Sequence, residues 1–172
     1  ANYRLNSDHI SLRHSDLSGN LEGYGGIGIS GYDSESFTSN IVLYNNSVHE
    51  GGVWDYLIAV GDQDNHGIAV GDSVHYLWVI DNLLYHRSGD GIQINSGIIG
   101  EDTNHIYVGR NIAHHNKQAG FWTKSANDVI FSENVVYGHR NSSSSSGGGM
   151  GFQYDPKRVW FLFNTAYDNN YG

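Results

Sequence analysis

The stretch NIVLYNNSVHE, residues 40–50, is written again and again along this chain: HYLWVIDNLLYH, NHIYVGRNIAHH, NDVIFSENVVYGH and KRVWFLFNTAYD follow its plan. Each copy alternates apolar residues, interrupts them with a polar one, and returns to apolar character. Aligned on that interruption, the copies begin at Ile10, Ile41, Leu77, Ile106, Val129 and Val159, 23 to 36 residues apart. The second column reads Leu12, Leu43, Val79, Val108, Phe131 and Phe161. The third reads Ser15, Asn46, Asn82, Asn111, Asn134 and Asn164, and the fourth Leu17, Val48, Leu84, Ala113, Val136 and Ala166. A repeat of this length with period-two alternation and no helical period predicts stacked coils, each burying its apolar face only because a neighbour covers it.

A second strand follows in most units, opened by glycine: GIGI at 26–29, GIAV at 67–70, GIQI at 91–94, GFWT at 120–123 and GFQY at 151–154. The shortest unit, Ile106 to Asp128, spans 23 residues and leaves little room for a helix. Each coil is therefore expected to be a few short strands joined by bends, paired in parallel with the next. Composition agrees. There are 23 glycines and one proline (Pro156), and only 16% of residues are charged. Equivalent residues in such a stack sit about 4.8 Å apart, and a side-chain amide both donates and accepts. The asparagine column therefore reads as a structural ladder, with Asn82 and Asn111 as rungs rather than reactive groups.

Net charge excludes one class of partner. Nine Lys and Arg against 18 Asp and Glu give −9, whereas phosphate-backbone binding needs a basic face. The absence of cysteine removes disulfides and thiolate metal sites. No apolar run is long enough to cross a bilayer. Residues 1–172 are expected to form one domain, an excerpt or open-ended part of a longer solenoid, since neither end shows a capping element. Asn45-Asn46-Ser47 and Asn141-Ser142-Ser143 match the glycosylation pattern, as an Asn- and Ser-rich chain will by chance.

Departures from the repeat point to function. From ladder residue to glycine strand takes 9 residues twice, but 21 from Asn46 to Gly67 and 17 from Asn134 to Gly151. Two loops, 50–66 and 139–150, are thus inserted at one corner, where they can wall a groove. The candidates on its floor are His86, His115, Arg87, Lys117 and Asp90 for proton transfer and carboxylate binding. Trp122 between Gln93 and Gln153, followed by Lys124 and Asp155, suits a sugar ring, which stacks on indole while amides bond its hydroxyls. Asp62, Asp64 and Asp72 offer oxygen ligands for Ca2+, although GDQDNHGIAVGD lacks the EF-hand spacing. A solvated acidic loop is the simpler reading, and no metal ligand is assigned.

A second feature competes with the groove. On the first strand the outward positions Val42, Trp78, Tyr107, Ile130 and Trp160, flanked by Tyr44, form an apolar and aromatic stripe where a solvent-facing sheet should be polar.

The repeat, with its asparagine column and glycine-opened strands, resembles the right-handed parallel β-helix of the pectate-lyase-like superfamily over essentially the whole chain. The resemblance implies an all-β solenoid of about six coils. It also implies an extracellular or cell-surface protein, since related proteins include polysaccharide lyases, pectin hydrolases and uronan epimerases that work in a groove along the coils. Lyases of this kind take a proton beside a carboxylate with Arg or Lys, often with Ca2+ bridging. Tyr154-Asp155-Pro156-Lys157 resembles the Asp-Pro-His motif of mannuronan epimerases, with Lys157 in place of the histidine. Two functional classes follow. One is a carbohydrate-binding or carbohydrate-processing protein, lyase-like or epimerase-like on a polysaccharide. The other is a non-catalytic adhesin, sheath or filament protomer that self-associates into fibres through Tyr44, Trp78, Tyr107, Trp160 and its open ends.

Overall fold

The computed structural model describes residues 7–19, 25–31, 36–55, 63–97 and 103–171. The described residues form strands that stack in parallel into three sheets, with no helix among them. The first sheet holds β1 (Ser7–Asp8), β2 (Ser11–Arg13), β5 (Thr38–Tyr44), β8 (Val74–Ile80), β11 (Asn104–Gly109), β14 (Asn127–Ser132) and β17 (Val159–Leu162). The second holds β3 (Asp16–Ser18), β6 (Ser47–Gly51), β9 (Leu83–Arg87), β12 (Ile112–His114), β15 (Val135–Tyr137) and β18 (Thr165–Tyr167). The third holds β4 (Gly25–Ile29), β7 (His66–Val70), β10 (Ile92–Asn95), β13 (Phe121–Lys124) and β16 (Met150–Gln153). The chain visits the sheets in rotation, so each coil is first, second, third, and the next coil lies beside it. This is a parallel β-helix.

Inward residues of all three sheets meet in one core. Ile41, Leu77, Ile106 and Val129 stack as register partners, as do Leu43, Val79, Val108 and Phe131. Val48, Leu84, Ala113 and Val136 face them from the second sheet, and Ile68, Ile92 and Phe121 from the third. Ala113 is small in the coil where Phe121 is large, which keeps the volume of that coil constant. At the bend between the first and second sheets the column of amides is continuous. Asn46, Asn82, Asn111 and Asn134 each donate from Nδ2 to Oδ1 of the next asparagine at 2.9–3.1 Å. Their backbone N–H groups reach the same oxygens at 2.8–2.9 Å. The bend's orphan donors are thereby paired without water.

Among the described residues, three columns that run along the stack turn through the left-handed region. His9, Asn40, Tyr76, His105, Asp128 and Arg158 form one such column; His14, Asn45, Asp81, Arg110, Glu133 and Phe163 form the second. The third is Glu50, His86, His115 and Asp168, with glycine at Gly19 and Gly138. Left-handed backbone costs an L-residue about 1 kcal/mol, and inter-coil hydrogen bonds such as Asp81 N–H to Gly109 O offset it. Side chains in these columns also meet along the stack, as in Arg110 with Asp81 at 2.8 Å and Arg158 with Asp128 at 2.5 Å.

One register expectation is corrected. The sequence reading aligned Gly151 with Gly120, but Phe121 pairs with Met150 and Trp122 with Gly151, so Gly149 takes the place beside Gly120. The reason is steric. The Trp122 indole lies against Gly151, where a methyl group would overlap the ring. A slip of two residues preserves which side chains face out, but Gln153 becomes the partner of Lys124, not of Trp122, and Asp155 falls beyond the strand. The loop boundaries move too. Glu50 and Gly51 belong to β6, His66 to β7 and Met150 to β16.

Candidate functional site

The outward face of the third sheet is a trough. Its floor is the register column Gly28, Ala69, Gln93, Trp122 and Gly151, small at one end and aromatic near the other. Asn95, Lys124 and Gln153 form a polar row along one side. His66 and Asp90 stand at the strand starts on the other side. Over the Trp122 end the two inserted loops close in. A cleft of about 320 Å³ there is lined by Asp64 from the first loop, Ser144, Ser145 and Ser146 from the second, and Asp90, Trp122, Lys124 and Gln153 from the floor and row. Gln118 ties the loops together, donating from Nε2 to Asp64 Oδ1 at 2.8 Å and to Ser144 Oγ at 3.3 Å.

Asp90 is the chemically unusual group in this cleft. Its side chain is only 5% exposed. Burial pushes its pKa up, against the opposing pull of His66 and of the Gln93 hydrogen bond. Oδ1 accepts the Ala119 amide at 2.9 Å and Oδ2 the Gln93 side-chain amide at 2.7 Å. The Asp90 backbone N–H donates to His66 Nδ1 at 2.9 Å. That bond makes Nδ1 an acceptor, so His66 is a neutral imidazole carrying its proton on Nε2. Burial lowers the His66 pKa, with Asp90 opposing. By contrast, the side-chain amines and amides of Lys124, Gln153 and Asn95 make no hydrogen bond among the described residues, leaving polar groups open along the trough.

The sequence-derived site residues divide into separate places. Asp90, Trp122, Lys124 and Gln153 line the one cleft, and Gln93 lies on its floor bonded to Asp90. Asp155 is exposed past the end of β16 and does not line it. Arg87 is inside the coil, 1% exposed. Its guanidinium donates to Asn65 Oδ1 and, at 3.2 Å, to His49 O, and burial pulls its pKa down to about 10. It belongs to an inner column with Asn116, His139 and Asn169 at the bend between the second and third sheets. Lys117 is also buried, its ammonium 3.4 Å from Val53 O. His86 and His115 sit at the third left-handed corner, on the second-sheet side of that bend. Asp62 lies outside the described residues, and among these no group of three or more His, Cys, Asp or Glu is arranged to hold a metal ion.

His86 and His115 join a feature that sequence reasoning missed. The outward column of the second sheet stacks His49, Tyr85, His114, Tyr137 and Tyr167 face to face, with centroids 4.7–5.0 Å apart. Trp54, from the first loop, lies flat on His86 at 3.8 Å. His114 Nδ1 and His115 Nδ1 are 3.0 Å apart. Burial, then His115 and His86, pull the His114 pKa down to about 4. The signal was available, because every residue one place beyond the fourth repeat column from Val48 onward is histidine or tyrosine. On the first sheet, Val42, Trp78, Tyr107, Ile130 and Trp160 are register partners, with Tyr44 two places after Val42 on the same face. Trp78 and Trp160 are 38% and 42% exposed.

The family model for the right-handed beta helix region matches residues 3–153 of this chain. The chain belongs to the right-handed β-helix family. Comparison with curated proteins and with solved structures gave no significant match. Family membership accounts for the coil architecture described above, and the trough on the third sheet is this chain's own arrangement of side chains within it.

Proposed function

We propose that this β-helix protein binds a polysaccharide in the third-sheet trough, at the cell surface or outside the cell, and acts on it in a lyase-like or epimerase-like way. The observation that carries the reading is the cleft around Trp122. An indole platform, an ammonium and an amide without hydrogen-bond partners among the described residues, and a buried carboxyl with a raised pKa converge between two loops. A sugar ring stacks on Trp122 with its hydroxyls toward Gln153. Lys124 pairs with a carboxylate on the sugar, and Asp90 exchanges a proton with the ring. His86 and His115, on the far side of the bend, are not needed for this chemistry.

The test is titration calorimetry with uronans and neutral glycans on the wild type and on Trp122→Ala, followed by product analysis. Binding that vanishes in Trp122→Ala supports the reading; binding unaffected by that change, or no binding to any glycan, rejects it. An unsaturated uronate seen by ultraviolet absorbance marks elimination, and inverted sugars seen by NMR mark epimerisation.

The exposed Trp78 and Trp160 favour a second reading, a non-catalytic adhesive or self-associating surface on the first sheet. Light scattering on Trp78→Ser/Trp160→Ser against wild type distinguishes it. Loss of assembly supports that surface, and a wild type that is strictly monomeric rejects it.

A further inference from the structure

Four strands of the first sheet carry a run of apolar side chains on their outward face. Trp78, Tyr107, Ile130 and Trp160 are successive register partners on β8, β11, β14 and β17, with the exposed tryptophans at the two ends. Ionisable side chains edge this run on both sides. Arg110 and Glu133 stand at the corner that follows the strands, His105 and Asp128 at the corner that precedes them. Arg110 also pairs with Asp81, and Asp128 with Arg158, within the chain. Glu133 is exposed and enters no ion pair among the described residues. An apolar centre inside a polar rim is the anatomy of a protein interface.

The order of the rim charges says what fits this face. A second copy laid face to face can be related by a two-fold axis in two ways. With the axis along the stack, each strand faces its own counterpart and the two corners meet. Glu133 then opposes the other copy's Asp128, carboxylate against carboxylate, and does so twice. With the axis along the strands, the solenoids run in opposite directions and each corner meets itself. An axis midway between β11 and β14 sets Arg110 opposite the other copy's Glu133, and His105 opposite its Asp128. It also lays Trp78 on the other copy's Trp160 and Tyr107 on its Ile130. Moving the axis onto β11 opposes Arg110 to itself, and moving it onto β14 opposes Glu133 to itself. Farther shifts leave one of the exposed tryptophans uncovered. Charge and apolar cover therefore select the same operator.

We infer that the first sheet docks a second copy of this chain, in a closed dimer of oppositely directed solenoids whose axis runs along the strands between β11 and β14. This rests on the reading of the first sheet as a self-associating surface, and adds that assembly stops at two copies. The face is four strands wide, ~19 Å, and a strand of six residues long, ~20 Å. That is on the order of 400 Å² per copy, about half of a standard interface. The dimer is thus weak and reversible, with a dissociation constant on the order of 10 μM.

Sedimentation velocity over concentrations spanning that value tests it. The wild type should pass from a 19.0 kDa monomer to a particle of twice that mass and no larger. Glu133→Arg should weaken the dimer about tenfold or more, although it lowers the net negative charge of the chain. Arg110→Glu, checked for folding by circular dichroism, should weaken it likewise. Mixed in equal amounts, the two variants should dimerise with each other at near wild-type affinity, because the mixed pair restores opposite charges at both contacts. Unchanged or tighter association of Glu133→Arg would overturn the operator, and that variant alone decides if Arg110→Glu does not fold. A mixture of folded variants that stays monomeric would overturn it too, and growth beyond two copies would overturn closure. In those cases the self-associating surface still stands if Trp78→Ser/Trp160→Ser abolishes assembly. A wild type that is monomeric throughout, or a dimer that the double tryptophan variant leaves intact, overturns both; glycan binding lost in that variant of a monomeric protein would name the other occupant.

Discussion

Replacing Asn111 with alanine removes a rung from the middle of the amide column, and its cost can be worked from the bonds it makes. Asn111 Oδ1 accepts the backbone N–H of Asn82 at 2.8 Å and its Nδ2 at 2.9 Å. Asn111 Nδ2 donates to Val79 O at 2.8 Å, Gly109 O at 3.1 Å and Asn134 Oδ1 at 3.1 Å. Several partners have alternatives. Asn82 Nδ2 keeps Leu43 O and Ile80 O, Gly109 O keeps the Asp81 amide, and Asn134 Oδ1 keeps the Asn111 backbone N–H. The Asn82 backbone N–H has none and lies in the dry bend. One orphaned buried donor costs about 1–3 kcal/mol, and each further hydrogen bond lost about 1 kcal/mol. Asn111→Ala should therefore lose about 3–5 kcal/mol, a large part of the 5–15 kcal/mol typical of a domain. Urea unfolding followed by circular dichroism measures it. Asn164→Ala is the control: it serves Asn134 in the same way, but is only half-buried, so water replaces it and the loss should be about 1 kcal/mol. A loss below about 1 kcal/mol for Asn111→Ala would refute the view that the column satisfies donors unreachable by water.

Two further outcomes follow from the inner column and the cleft. His139 sits among Asn116 and Asn169, and burial pulls its pKa down to about 4, although its hydrogen bond to Asn169 acts the other way. A histidine whose folded pKa lies below its unfolded one contributes stability that is present above about pH 6.5 and lost as pH falls toward 4, here on the order of 3 kcal/mol. His139→Asn, which makes the column match its neighbours, should flatten the fall in melting temperature across that window; an unchanged pH profile would reject the assignment. Gly151→Ala should push the Trp122 indole off its seat, weakening the proposed glycan binding about tenfold for a stability loss of about 1–3 kcal/mol. Calorimetry and near-ultraviolet circular dichroism read the two effects, and unaltered signals in both would reject the indole's placement.

How much could be read in advance depended on whether a property belonged to the repeat or to an exception. The coils, the inward residues from Ile41 to Phe131, the asparagine column and the first-sheet stripe of Val42, Trp78, Tyr107, Ile130 and Trp160 each recur at a fixed offset. Alignment of the sequence with itself is enough to place them. The same logic puts Trp122 and Lys124 on one sheet, with Asp90 just ahead of the neighbouring strand. It stumbled at Gly151, because two glycines, Gly149 and Gly151, could each open the last strand, and only the bulk of Trp122 decides between them.

What the sequence by itself determined is therefore the one-dimensional order: which residues stack, which face the core, and where loops interrupt. A solenoid makes that possible because each residue's neighbours along the stack are its own counterparts in adjacent repeats. What the tertiary structure alone decided is everything that crosses a bend. Arg87 and His86 are adjacent in sequence, yet the left-handed backbone of His86 itself turns Arg87 into the core and leaves His86 stacked under Trp54. His66 and Asp90 are 24 residues apart and come together because their coils are neighbours. Direction at a corner is set by backbone angle and by packing on both sides. A repeat pattern carries neither.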